Sequence, residues 1–100
     1  MRIALDYDGT YTRDPTLWAC FIDLVRDVGH EIVCVTMRDA NDPEEAIIGV
    51  PCEVIYTSRK GKLAHMAEIG KPVDIWIDDD PRWIMFDTSG LGHIIRESAI

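Results

Sequence analysis

The chain has 100 residues, 47% of them hydrophobic and 28% charged, with a formal net charge of −8. This composition excludes a disordered chain, and the acidic balance excludes a broad basic surface for gripping nucleic acid, although a local basic site remains open. A chain this short buries roughly 60–65% of its unfolded surface, so residues 1–100 read as a single domain. No apolar run approaches the roughly 20 residues needed to span a bilayer. The first residues lack a basic segment followed by a long apolar one, so neither a signal peptide nor a membrane partner is expected. Cys20, Cys34 and Cys52 are odd in number, lie in or beside apolar runs and have no close-paired spacing. They read as reduced core thiols of a cytoplasmic protein, not as a disulfide or zinc site.

Taken in chain order, Arg2–Leu5 is a short buried strand that ends abruptly at Asp6. Asp14-Pro15 marks a helix start, with aspartate as N-cap and proline at the first helical position. Leu17, Cys20, Phe21, Leu24, Val25 and Val28 then recur at helical spacing, and Gly29 supplies the stop. Glu31–Thr36, EIVCVT, is β-branched and nearly all apolar, as a strand buried on both faces requires. Met37–Val50 is looser; Asp42-Pro43 starts a short helix carrying Ala46 to Ile48, and Pro51 closes it. Cys52–Thr57 is a third strand, and Ser58 caps a helix running to about Ile69, stopped by Gly70 and Pro72. Val73–Ile77 is a fourth strand running into Asp78-Asp79-Asp80-Pro81. A helical turn over Pro81–Phe86 and a short edge strand over Gly92–Ile95 complete the reading.

Strands alternating with helices predict an α/β fold: a three-layer α/β/α sandwich around a parallel, Rossmann-like sheet with right-handed crossovers. Ligands of such sheets bind outside the carboxyl ends of the strands. Asp6 and Asp8, Thr36, Thr57, and Asp78 and Asp79 end the strands, so they are expected at one edge. Asp6 and Asp8, one residue apart on an extended segment, point the same way and repel. A divalent cation offsets such a cluster. Oxygen-only ligands without histidine or cysteine favour a hard ion, Mg2+ first, which keeps waters and binds substrate phosphate. The Thr36 hydroxyl and the Met37 N–H that follows it can hold phosphate oxygens. Arg59, Lys60 and Lys62 bring positive charge to a helix start.

DYDGT, a strand ending CVT, a lysine opening a later helix and a strand ending IWIDDD, in that order over nearly the whole chain, resemble the haloacid dehalogenase-like superfamily of phosphohydrolases. The resemblance implies a Mg2+-dependent phosphatase, with Asp6 as the nucleophile that forms an aspartyl-phosphate. Asp8 is then the general acid for the leaving group and the base for the attacking water. Thr36 binds the phosphoryl group, together with Gly9, Thr10, Met37 and Arg38. Lys60 or Lys62 stabilises charge on Asp6 and the phosphate; Lys60, nearer the apolar stripe of Leu63, Met66 and Ala67, is the first choice. Asp6, Asp78 and Asp79 hold the metal with the backbone carbonyl of Asp8. A carboxylate nucleophile splits hydrolysis into two easier steps, and the transferring phosphoryl group needs fixed positive charge more than covalent help. Only Tyr11–Asp14 separates DGT from the first helix, so no cap domain is expected. An open site of this kind admits bulky phosphorylated substrates: a nucleotide, a nucleic-acid end or a phosphoprotein.

Two other classes compete. A receiver-like signalling domain also uses an acidic pair, Mg2+, threonine and lysine, but its phospho-accepting aspartate ends a middle strand, where this chain has Thr57. A catalytically idle binding module on the same fold would not need the full set of polar residues. His30, His65 and His93 show no ligand spacing, and Trp18, Trp76 and Trp83 are most simply packing residues. Oligomeric state is not legible.

Overall fold

The computed structural model describes residues 1–88. The strand expected at Gly92–Ile95 and His93 lie outside the described residues. Four strands form: β1 (Arg2–Leu5), β2 (Glu31–Thr36), β3 (Glu53–Tyr56) and β4 (Ile75–Ile77). They build one all-parallel sheet in the order β3-β2-β1-β4. Three helices accompany them: α1 (Pro15–Asp27), α2 (Lys62–Glu68) and the single turn α3 (Arg82–Met85), with short 3-10 segments at Tyr11–Arg13 and Pro43–Glu45. This is a small α/β fold compatible with a Rossmann-like arrangement. No helix among the described residues is long and apolar enough to cross a membrane.

Local chemistry explains the best-formed elements. The Asp14 carboxylate accepts from the N–H of Leu17 at 3.1 Å and Pro15 occupies the first turn, so α1 starts where its orphan amides find an acceptor. β1 is buried on both faces because it is a central strand: Ile3 and Leu5 face one side and Ala4 the other. On the first side Ile3, Leu5 and Ile32 pack against Ile22 and Val25 of α1, with Trp18 and Phe21 at the margin. On the second side Ala4, Val33, Val35 and Ile55 pack against Met66 of α2. Helices therefore cover both faces of the sheet.

Register sets up the chemistry. In the parallel pairing of β1 with β4, Leu5 lies opposite Ile77, and the Asp6 N–H continues the ladder by donating to the Ile77 carbonyl at 2.9 Å. Asp6 and Asp78, each one residue beyond its strand, are thereby carried to neighbouring positions at the carboxyl edge. On the other side of β1, Leu5 pairs with Cys34, so β2 runs two residues further to Thr36.

Several expectations need correcting. The inward stripe of α1 is Trp18, Phe21, Ile22 and Val25; Leu17, Cys20, Leu24 and Val28 face outward. Both stripes are apolar at helical spacing, and the sequence pattern merged them. Cys20 is thus an exposed thiol rather than a core one, and all three cysteines are free. Ala46 is extended (ψ 136°), so the turn opened by Asp42 ends at Glu45 and no helix reaches Ile48. Ser58 caps nothing, because residues 57–61 form a turn with left-handed backbone at Ser58 (φ 52°) and Arg59 (φ 71°), and α2 begins only at Lys62. β3 and β4 are shorter than the apolar runs that encode them.

Ile22 is fully buried whereas Leu24 is 59% exposed, which separates the two stripes energetically. Ile22→Ala is expected to destabilise the fold by about 3 kcal/mol and Leu24→Ala by less than about 0.5 kcal/mol, read from urea denaturation midpoints. Equal losses would contradict the assigned face of α1.

Candidate functional site

The carboxyl ends of β1 and β4 and the first turn of α2 meet around one buried ammonium group. Lys62 Nζ donates to Asp6 Oδ1 at 2.7 Å and to Asp78 Oδ2 at 2.6 Å, and all three side chains are nearly or fully shielded from solvent. The Thr10 hydroxyl lies 3.1 Å from Asp6 Oδ2 and 3.2 Å from Asp79 Oδ1, and the Asp79 N–H donates back to Thr10 Oγ1 at 3.2 Å. Residues 7–10 turn sharply so that Thr10 reaches this position, and Gly9 sits at the apex with φ +82°. A Cβ there would stand 2.4 Å from Asp79 Oδ2. Glycine is thus required twice, for its backbone conformation and for the close approach of a carboxylate.

Carboxylate oxygens of Asp6, Asp78 and Asp79 all lie within 4.8 Å of one another. At that separation a like-charge pair repels by roughly 3 kcal/mol in an effective dielectric near 20. One ammonium against three carboxylates leaves a formal charge of −2 when all are ionised. Two consequences follow. Burial raises the Asp6 pKa from its ordinary 3.8 to about 8; Lys62 opposes this, while Asp78 and Asp79 add to it. Burial alone would lower the Lys62 pKa, but the carboxylates of Asp6 and Asp78 outweigh it, and the ammonium is held charged. The excess negative charge of the cluster favours a proton or a cation there. The donor set is all oxygen, carries a surplus of two charges and includes the exposed Asp79, so it fits a hard divalent cation such as Mg2+.

Asp8 goes elsewhere. Both its oxygens accept from Arg38, Oδ2 from Nε at 2.9 Å and Oδ1 from Nη2 at 2.6 Å. The expectation that Asp6 and Asp8 point the same way fails because β1 ends at Leu5 and the chain turns immediately, so strand alternation no longer applies. Arg38 is fixed from three sides. It lies over the Tyr7 ring at 5.1 Å and donates through Nη1 to the Glu45 carbonyl at 3.3 Å. The buried Glu45 carboxylate in turn accepts from the Asp39 N–H and from Arg59. Thr36 is buried at the end of β2, where its hydroxyl accepts from the Arg38 N–H at 3.3 Å; the Met37 carbonyl accepts from Arg59. The amides of Thr10, Tyr11 and Thr12 are spent on the carbonyls of Tyr7 and Asp6.

The structure brings Lys62, not Lys60, to Asp6. Lys60 turns outward to pair with Glu68. The reason lies in the turn at 57–61: the Thr57 hydroxyl donates to the Lys60 carbonyl at 2.7 Å, Arg59 N donates to Met37 O at 2.8 Å, and the Asp87 carboxylate accepts from Gly61 N at 2.6 Å. Lys62 is then the first residue of α2. No protein family, curated protein or solved structure matches the chain.

Sequence reading did not anticipate the bridging part of Thr10, or Tyr7, Glu45 and Arg59 around Arg38. Thr10 was detectable from its place in DGT, whereas nothing local marks Glu45.

A proton and a divalent cation would compete for the same carboxylate. The raised Asp6 pKa means that the metal-free fold keeps a proton that the unfolded chain loses above about pH 4. This contribution to stability is full below pH 3.8 and is lost as pH climbs toward about 8. A divalent cation needs the ionised form, so its affinity rises over that same window. Calorimetric titration with Mg2+ between about pH 6 and pH 9 is expected to give a Kd that falls about tenfold per pH unit below pH 8 and then levels. A Kd independent of pH would contradict this description of Asp6.

Proposed function

We propose that the chain is a Mg2+-dependent phosphomonoester hydrolase of the haloacid dehalogenase type, without a cap domain, working through an aspartyl-phosphate on Asp6. One observation carries the reading: the carboxylate that ends the central strand is bonded to a buried lysine within reach of two further carboxylates. The order of DYDGT, CVT, lysine and IWIDDD along the chain supports it independently. A carboxylate held only as a structural counter-ion would need neither Asp78 nor Asp79 beside it.

The chemistry then assigns itself by residue. Asp6 attacks phosphorus while the ester P–O bond breaks, and Asp8 passes a proton to the departing oxygen. Water next attacks the same phosphorus, the bond from phosphorus to Asp6 breaks, and Asp8 takes the water proton back. Asp6, Asp78 and Asp79 would hold the Mg2+, which when bound would neutralise charge on the phosphoryl oxygens. Lys62 stays charged throughout, orients Asp6 and offsets the charge that develops beside it. Asp8 accepts two bonds from Arg38, and proton transfer requires one of its oxygens to be released. An incoming phosphate supplies the competing acceptor, since guanidinium binds phosphate as well as carboxylate. Arg38 would thus pass from Asp8 to substrate, next to Thr36, whose hydroxyl accepts from the Arg38 N–H. The receiver-like alternative lacks its acceptor, because β3 is followed by Thr57.

With an aryl phosphate at saturating Mg2+, Asp6→Asn is expected to abolish turnover while the far-ultraviolet circular dichroism is unchanged. Lys62→Met is expected to lower kcat by about 10²–10³-fold, and Lys60→Met by less than about twofold. Turnover retained in Asp6→Asn would sink the mechanism. A larger loss from Lys60→Met than from Lys62→Met would sink the assignment of the lysine.

A further inference from the structure

Beside Asp8 the surface opens into a cavity of about 320 Å³ lined by Asp8, Gly9, Thr12 and Arg13. Such a volume accommodates part of a small organic ligand. Its wall is held by the chain itself: Gly9 N donates to Thr12 Oγ1 at 3.0 Å, and Arg13 N donates to the Thr10 carbonyl at 3.1 Å. These residues belong to the same turn that fixes Thr10 on Asp6, so the cavity and the reacting carboxylate keep a constant relation.

Arg13 is unusual among the basic residues. The sequence has ten lysines and arginines, and one of them, Arg96, lies beyond the described residues. Of the nine others, eight donate to a carboxylate or carbonyl oxygen of the chain. Arg13 alone among the described residues has no such partner, although acids outnumber bases by 18 to 10. An exposed arginine without a partner is ordinary by itself. An arginine left without one in a strongly acidic chain, in the wall of a cavity that also contains Asp8, is a cation available to a ligand.

Resting on the phosphatase reading, we infer that this cavity receives the leaving group, and that Arg13 selects substrates whose leaving group carries a second oxyanion. The departing oxygen takes its proton from Asp8, so the group attached to it lies on the Asp8 side of the phosphorus, where the cavity is. The guanidinium fork matches a carboxylate or a second phosphate in two parallel bonds. The chain's formal net charge of −8 disfavours extended polyanions. The substrate class is therefore a small, doubly anionic phosphomonoester, and neither a phosphoprotein nor a nucleic-acid end.

The test compares 4-carboxyphenyl phosphate with 4-carbamoylphenyl phosphate, esters of nearly equal size that differ by one charge. The wild-type chain is expected to prefer the carboxylate, with a preference that weakens as ionic strength rises. In Arg13→Gln the ratio of the two kcat/KM values is expected to fall about tenfold and to lose its salt dependence, and Arg13→Lys is expected to fall between. A purely structural part for Arg13 would lower both rates and leave the ratio alone. An unchanged ratio and salt dependence in Arg13→Gln, with both esters turned over, overturns this inference and leaves the phosphatase reading standing. No turnover of either ester by the wild-type chain overturns both.

Discussion

The buried ammonium of Lys62 between Asp6 and Asp78 is the interaction on which the carboxyl edge depends. Removing a partner from a buried ion pair strands an uncompensated charge, typically at several kcal/mol, so the three side chains define one another's positions. Their backbone origins differ. Asp6 and Asp78 arrive side by side because β1 and β4 pair in parallel with Leu5 opposite Ile77. Lys62 arrives through a turn whose left-handed residues set the start of α2. The sheet supplies two rigid carboxylates, and the turn supplies the cation.

The same cluster has a built-in imbalance. One lysine cannot neutralise three carboxylates, and burial together with this surplus raises the Asp6 pKa well above the ordinary carboxylate range. A stable protein has no structural need for that arrangement, since apolar residues of similar volume fill such a space at least as well. The neighbouring pair of Asp8 and Arg38 follows the opposite logic. There charge is matched one to one, and the geometry is bidentate and braced by Tyr7 and Glu45. The two aspartates of DYDGT thus sit in different electrostatic settings, only two residues apart, because Asp6 still bonds to β4 through its N–H while the chain turns away from the sheet directly after it.

Local signals carried much of this fold. An apolar run ending at Asp6, an Asp-Pro cap and a β-branched run over Glu31–Thr36 each encode their element without help from distant residues. The parallel order of the strands follows from their alternation with helices. What was not legible depends on tertiary context. The choice between Lys60 and Lys62 rests on positive φ at Ser58 and Arg59, which neither residue favours and which is held by bonds to Met37 and Thr88. The inward face of α1 was ambiguous because two apolar stripes share one helix. The partner of Asp8 was hidden because Arg38 comes from another strand end and is oriented by Glu45, a residue with no motif of its own.

The most direct measurement is the chemical identity of the phosphorylated residue. Acid quenching during turnover of an aryl phosphate, followed by borohydride reduction, converts an acyl phosphate to an alcohol, and peptide mass spectrometry then locates it. A nucleophilic Asp6 gives homoserine at position 6 and unmodified aspartate at positions 8, 78 and 79. Homoserine at another position, or none anywhere while phosphate is still released and a known acyl-phosphate control is reduced, would contradict the role assigned to the carboxylate that Lys62 holds.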